Sequence, residues 1–413
     1  MIKINRKVLS NGLRLVHIED KATQMVALNI LYDVGAKNEN PNRTGFAHLF
    51  EHLMFAGSQN IPNYDEPLQN AGGENNAWTN NDITNFYLTV PKQNVEIGFW
   101  LESDRMNCLS INQKSVSVQK DVVIEEFKQR SLNQPYGDIG HLTRGLAYSS
   151  HPYQWPTIGK DISHIKDATI EEVKDFYNRF YVPNNAILAV TGCIDFEETV
   201  ALAEKWFGSI TRTSDFVKPI IQEPLQKERR FLEVVRPVPA DALMMAFHMC
   251  DRNHPDFYAY DILSDILSNG VSSRLYQRLV IDQLVFTSVD AYISGSVEIG
   301  LFYVGGKLRE GVTLEQAEEA IWKELDLLKQ EPIDSYELEK VKNKYESNFI
   351  FSNMNYLNVA TNIAWFELLG DVEGINQEVE LYRAVTEMKL QEVAQNMFTP
   401  EKASVIYYKK NKL

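Results

Sequence analysis

Cysteine is scarce. Cys108, Cys193 and Cys250 are the only three in 413 residues, odd in number and nowhere in C-x-x-C spacing, which excludes a disulfide framework and a thiolate-held metal. They read as small core residues. No run approaches the roughly 18 apolar residues of a membrane span, and the opening MIKINRKVLSNGLRLVHIED is charged, without the apolar stretch of a secretion signal. A soluble, cytoplasmic protein with no membrane partner is expected, periplasmic only where a leader has been removed. Positive charge is also short: 41 Lys and Arg against 56 Asp and Glu leave a net −15, the wrong sign for a nucleic-acid partner.

What is present describes a globular chain, 44% hydrophobic and 23% charged, too long for one ordinary core. MVALNILYDVGA alternates apolar residues at Val26, Leu28, Ile30, Tyr32 and Val34, which predicts a strand with one covered face. NFYLTVP and NAILAVTG read as further strands, and TIEEVKDFYNRFY opens a helix with Thr169 and Glu172 in capping-box spacing. Strands and helices are mixed, so the expected class is α+β. The polar, proline-bearing stretch TRTSDFVKPIIQEPLQKE reads as a linker over 211–228, dividing the chain into domains at 1–210 and 229–413. Beyond it the order of elements starts again, with ALMMAFHM and then DFYAYDILSDILSNG in the spacing of TGFAHLFEHLMFAG. That register sets Asp261, Ser264 and Asp265 opposite His48, Glu51 and His52.

The stretch FAHLFEHLMF, residues 46–55, carries two histidines and a glutamate among apolar residues. At about 100° per residue, His48, Glu51, His52 and Phe55 share one sector, and Phe46, Leu49, Phe50 and Leu53 the other. Histidines at i and i+4 project in parallel and can place two imidazoles on one divalent ion, with the carboxylate of Glu51 beside it. This His-x-x-Glu-His order is that of the inverzincins. Zinc held by two histidines needs a third protein ligand. SVQKDVVIEEFKQR offers Glu126, on one helix side with Gln119, Val122 and Val123, and Glu125 as its rival. Without the upstream motif either glutamate would read as a solvated helix charge. His17, His141, His151, His164, His248 and His254 are isolated, and Trp155 in HPYQWP reads as a packing residue.

VGAKNENPNRTGFAHLFEHLMFAGS, QKDVVIEEF, GGENNAWTNNDITNFYLTVP, HPYQWPTIGKDISHIKDATIEEVKDFYNRFYVPNNAILAVTGCID and LSNGVSSRLYQRL together resemble the pitrilysin and insulinase family of zinc metallopeptidases, peptidase family M16. The resemblance is to its short-chain branch, which includes the mitochondrial processing peptidase β subunit. It implies two homologous halves of the LuxS/MPP-like metallohydrolase fold, each an antiparallel-rich sheet with packed helices, around a chamber that short chains complete by dimerising.

The resemblance further implies one zinc per chain on His48, His52 and Glu126. Glu51 would be the general base of an endopeptidase acting on peptides or unfolded segments, and Asn75, Asn76, Ala77 and Trp78 the edge strand that binds substrate. Two positions depart from the family pattern. A second glutamate often stands seven residues before the third ligand, where this chain has Gln119. The arginine and tyrosine that follow the SSRLYQRL stretch in catalytically complete members are replaced nearest by Val280 and Phe286. A homologous partner subunit supplying that pair is therefore expected, or otherwise a homodimer. The alternative is a non-catalytic architectural or peptide-binding subunit of the same fold.

Overall fold

The computed structural model describes residues 2–214 and 221–411. Residues 215–220 of the expected linker lie outside the described residues. The chain folds into two compact units that are discontinuous in sequence. One is Met1–Phe127, Trp155–Ile220 and Phe349–Gln377; the other is Lys128–Gln154, Ile221–Asn348 and Glu378–Leu413.

The first unit is built on six strands, β1 (Asn5–Val8), β2 (Arg14–Glu19), β3 (Met25–Tyr32), β4 (Glu74–Thr79), β5 (Thr84–Pro91) and β6 (Ala186–Gly192), in the order β1-β2-β6-β3-β5-β4. Only β2 and β6 run parallel; the remaining pairs are antiparallel. The second unit has β7 (Arg230–Arg236), β8 (Ala242–His248), β9 (Phe286–Ile293), β10 (Leu301–Leu308) and β11 (Ser404–Lys410), in the order β7-β11-β8-β10-β9. Here too one pair, β7 and β11, is parallel. Matching β2, β6, β3, β5 and β4 to β7, β11, β8, β10 and β9 reproduces every pairing and direction. The repeat first suggested by one helix extends over five strands of each sheet, with β1 the one strand left unmatched among the described residues.

Strand β3 departs from its expected single covered face, since Val26 through Tyr32 are all buried. Val26, Leu28, Ile30 and Tyr32 face the core that contains the Phe46–Leu53 helix. Ala27 and Leu31 face a second layer, in which Val359, Ala360, Ile363 and Ala364 of the Tyr356–Leu368 helix pack on the sheet. Asn29 on that face exchanges amide hydrogen bonds with Asn85 at 2.9 and 2.8 Å and accepts one from Thr361. The buried amides are thereby satisfied.

In return, the Ile139–Ala147 helix covers the second sheet, with Leu142 and Leu146 packed around Ala242, Ile406 and Tyr408. The units therefore do not follow the contiguous division at 211–228, because each sheet has two faces to bury and the helices nearest in sequence cover only one. Ile363, fully buried, tests this exchange: Ile363→Ala should cost about 2–5 kcal/mol. Chemical denaturation followed by the first unit's tryptophans would show it, and an unchanged midpoint would contradict the covering role.

Candidate metal centre

The Phe46–Leu53 helix is anchored by its apolar side. Phe50 lies 5.5 Å from Phe176, stacked at 19°, and 5.0 Å from Tyr181 between ring centroids. With that face fixed in the core, the helical period turns His48 and His52 together, their ring centroids 4.9 Å apart and their planes at 89°. The helix enters through Gly45 at φ 94, a left-handed conformation natural to glycine. A Cβ there would also press on Ile165 and the Ile158 carbonyl, about 3 Å away.

The Gln113–Phe127 helix brings the third group. Val116, Val123 and Phe127 are buried and fix its rotation, which directs Glu126 at the histidines and leaves Glu125 exposed. Glu126 Oε2 is 3.5 Å from His48 Nε2 and 3.3 Å from His52 Nε2. One donor atom from each of the three lies within 4.8 Å of the others, and among the described residues this is the one such group. Tetrahedral zinc with bonds of about 2.0–2.1 Å separates neighbouring donors by about 3.3–3.5 Å. Two imidazoles and a carboxylate at these separations fit the ion. Glu51 shares the helix and is half-buried.

The expected substrate residues lie on β4, which is an edge of its sheet. They divide by face: Ala77 packs toward the core that holds the histidine helix, and Trp78 toward the opposite layer. The Asn75 amide donates to Asp65 at 2.8 Å, and the Ala77 N–H donates to the Asn76 side chain at 2.8 Å. Gln119 stands two turns before Glu126 on the same helix. Trp155 is buried and donates its indole N–H to the Ala36 carbonyl at 2.9 Å.

Among the described residues the second unit keeps no counterpart of the donor set. Asp261 accepts from the Tyr382 hydroxyl, Asp265 from Asn269, and burial raises both carboxyl pKa values. Val280 and Phe286 belong to the second hydrophobic core. The neighbouring cations Arg274 and Arg278 are held by Glu337 and Glu324 at 2.6 and 2.7 Å.

Glu39 was not singled out in the sequence. Its carboxylate accepts the Gly45 N–H at 2.9 Å with one oxygen and the Ala47 N–H at 2.8 Å with the other. Burial pushes this carboxyl up to about 8, against the pull of the Ala47 and Gly45 donors. The available signal was a helix whose N-cap is glycine, so that a polar group had to reach it from elsewhere.

The sequence matches relatives that are named zinc proteases. The chain belongs to peptidase family M16. The family model described as Insulinase (Peptidase family M16) matches residues 14–144, and that described as Peptidase M16 inactive domain matches 167–345. The chain is 27% identical over 409 residues to Zinc protease PqqE of Helicobacter pylori, covering 97% of this chain and 91% of that one. It is 22% identical over 315 residues to the probable mitochondrial-processing peptidase subunit beta of Arabidopsis thaliana, covering 72% and 58%. A crystal structure of a protease from Helicobacter pylori superposes with a TM-score of 0.94 at 26% identity, covering 99% of this chain and all of that one. Among the described residues no helix is long and apolar enough to cross a membrane.

Proposed function

We propose that the chain is the zinc-bearing subunit of an M16 endopeptidase that hydrolyses peptides or unfolded segments. The observation that carries this reading is the convergence of His48, His52 and Glu126 within 4.8 Å, with Glu51 on the same helix. His48, His52 and Glu126 would hold one zinc ion. When bound, that ion supplies Lewis acidity, lowering the pKa of a water and polarising the scissile carbonyl.

The remaining work falls to the chain's own groups. Glu51 accepts the proton of the attacking water on its carboxylate and returns it to the leaving amine. Edge strand β4 orients the substrate by taking its backbone as an added strand. At Ala77 the incoming carbonyl replaces the Asn76 side chain that now accepts the N–H. Backbone pairing gives register without demanding a sequence, and it requires an extended substrate.

The ligand assignment is tested by metal content and chelator competition on paired variants. Glu126→Gln should lose most bound zinc, while Glu125→Gln should keep about one ion per chain, as the three-ligand site requires. Equal zinc in both variants would refute the role of Glu126.

A further inference from the structure

The start of the metal helix is held from a distance. Gly45, its N-cap, has no side-chain oxygen, and the hydroxyl of Thr44 is already bonded to the Lys160 N–H and His164 Nδ1 at 2.7 and 2.8 Å. Two backbone donors at the helix start are instead met by Glu39, with one oxygen on Gly45 and one on Ala47. A helix of eight residues has too few hydrogen bonds to hold its own form. Its first turn carries His48, whose peptide directly follows Ala47.

Glu39 is a costly way to fill this place. Burial lifts its pKa to about 8, above the ordinary 4.5 of a glutamate, so the fold disfavours its ionisation. The stability this group contributes is complete below about 4.5 and lost as pH rises through about 8. An apolar residue would suit the burial better. What Glu39 does there, and an apolar residue does not, is offer both side-chain oxygens to backbone N–H groups at once.

We propose that Glu39 is a positioning residue for the metal, clamping the first helical turn through Gly45 and Ala47 so that His48 meets the ion shared with His52 and Glu126. The inference rests on the zinc-site reading above and adds a residue outside the donor set. Partners bonded directly to metal-ligating side chains change metal affinity about 10-fold to 100-fold when removed, which sets the scale for a clamp one peptide away from His48.

Cobalt titration of the metal-free full chain, in competition with a chelator, reads both affinity and the visible ligand-field spectrum. Glu39→Gln, whose amide can accept at only one end, should bind cobalt about 10-fold to 100-fold more weakly with a shifted spectrum. Glu39→Asp, shorter by one methylene, should fall between it and the wild type, and it carries the test alone if the Gln variant does not fold. The control is Thr169→Ala, which removes a surface cap from the Ile170–Phe180 helix. It should leave affinity and spectrum unchanged even where its melting temperature falls as far. Wild-type behaviour in both Glu39 variants, or the same shift in Thr169→Ala, would overturn the proposal. A wild-type chain that binds no cobalt would remove the metal site itself.

Discussion

Glu51→Gln is expected to bind zinc as the wild type does and to lose peptidase activity by about 100-fold to 10,000-fold, the usual range for removal of a general base. The substitution keeps the shape of the side chain and its place on the Phe46–Leu53 helix. It removes only the ability to take a proton. Because His48, His52 and Glu126 provide the converging donors, metal content should not follow activity downward. Zinc analysis beside a peptide-hydrolysis assay separates the two effects. Retention of full activity would show that Glu51 is not the base, and equal loss of zinc would make it part of the metal site. A wild-type chain that holds zinc and cleaves no peptide, alone or with a homologous subunit, would favour the non-catalytic reading.

The second large effect is expected from a partner. Val280 and Phe286 occupy the positions nearest the family's arginine and tyrosine, and both side chains are buried, at 6% and 0% exposure. Neither can offer a hydrogen bond to a developing oxyanion. Arg274 and Arg278 nearby are paired with Glu337 and Glu324. Loss of one oxyanion donor costs about 100-fold to 1,000-fold in rate, so the isolated chain should be slow by that order. A homologous subunit that carries the arginine and tyrosine but lacks His-x-x-Glu-His should restore the rate when mixed in. Substituting the partner's arginine or tyrosine should abolish the gain. High activity from the isolated chain, unchanged by such a subunit, would rule out the heteromer and leave the homodimer.

The site was legible to different depths. His48, Glu51 and His52 stand within five residues, so helical geometry alone brings them together. Glu126 was legible only against Glu125 as a rival, because helix rotation depends on which residues are buried. Val116, Val123 and Phe127 set that rotation here. For Glu39 the one hint was the glycine N-cap at Gly45, which did not say which polar residue would reach it, since its partners at Gly45 and Ala47 are backbone atoms.

By itself the sequence determined the α+β class, the helix carrying the two histidines, the lack of a matching triplet at Asp261, Ser264 and Asp265, and the apolar character of Val280 and Phe286. All of these follow from short-range periodicity or residue identity. Tertiary structure decided which glutamate faces the histidines, which faces of β4 Ala77 and Trp78 occupy, and that the Tyr356–Leu368 and Ile139–Ala147 helices cover sheets remote from them in sequence. The physical reason is that a sheet has two faces to bury. An alternating strand declares that a face is apolar, while the element that covers it is chosen by packing among segments hundreds of residues apart, as Ile363 shows against Ala27 and Leu31.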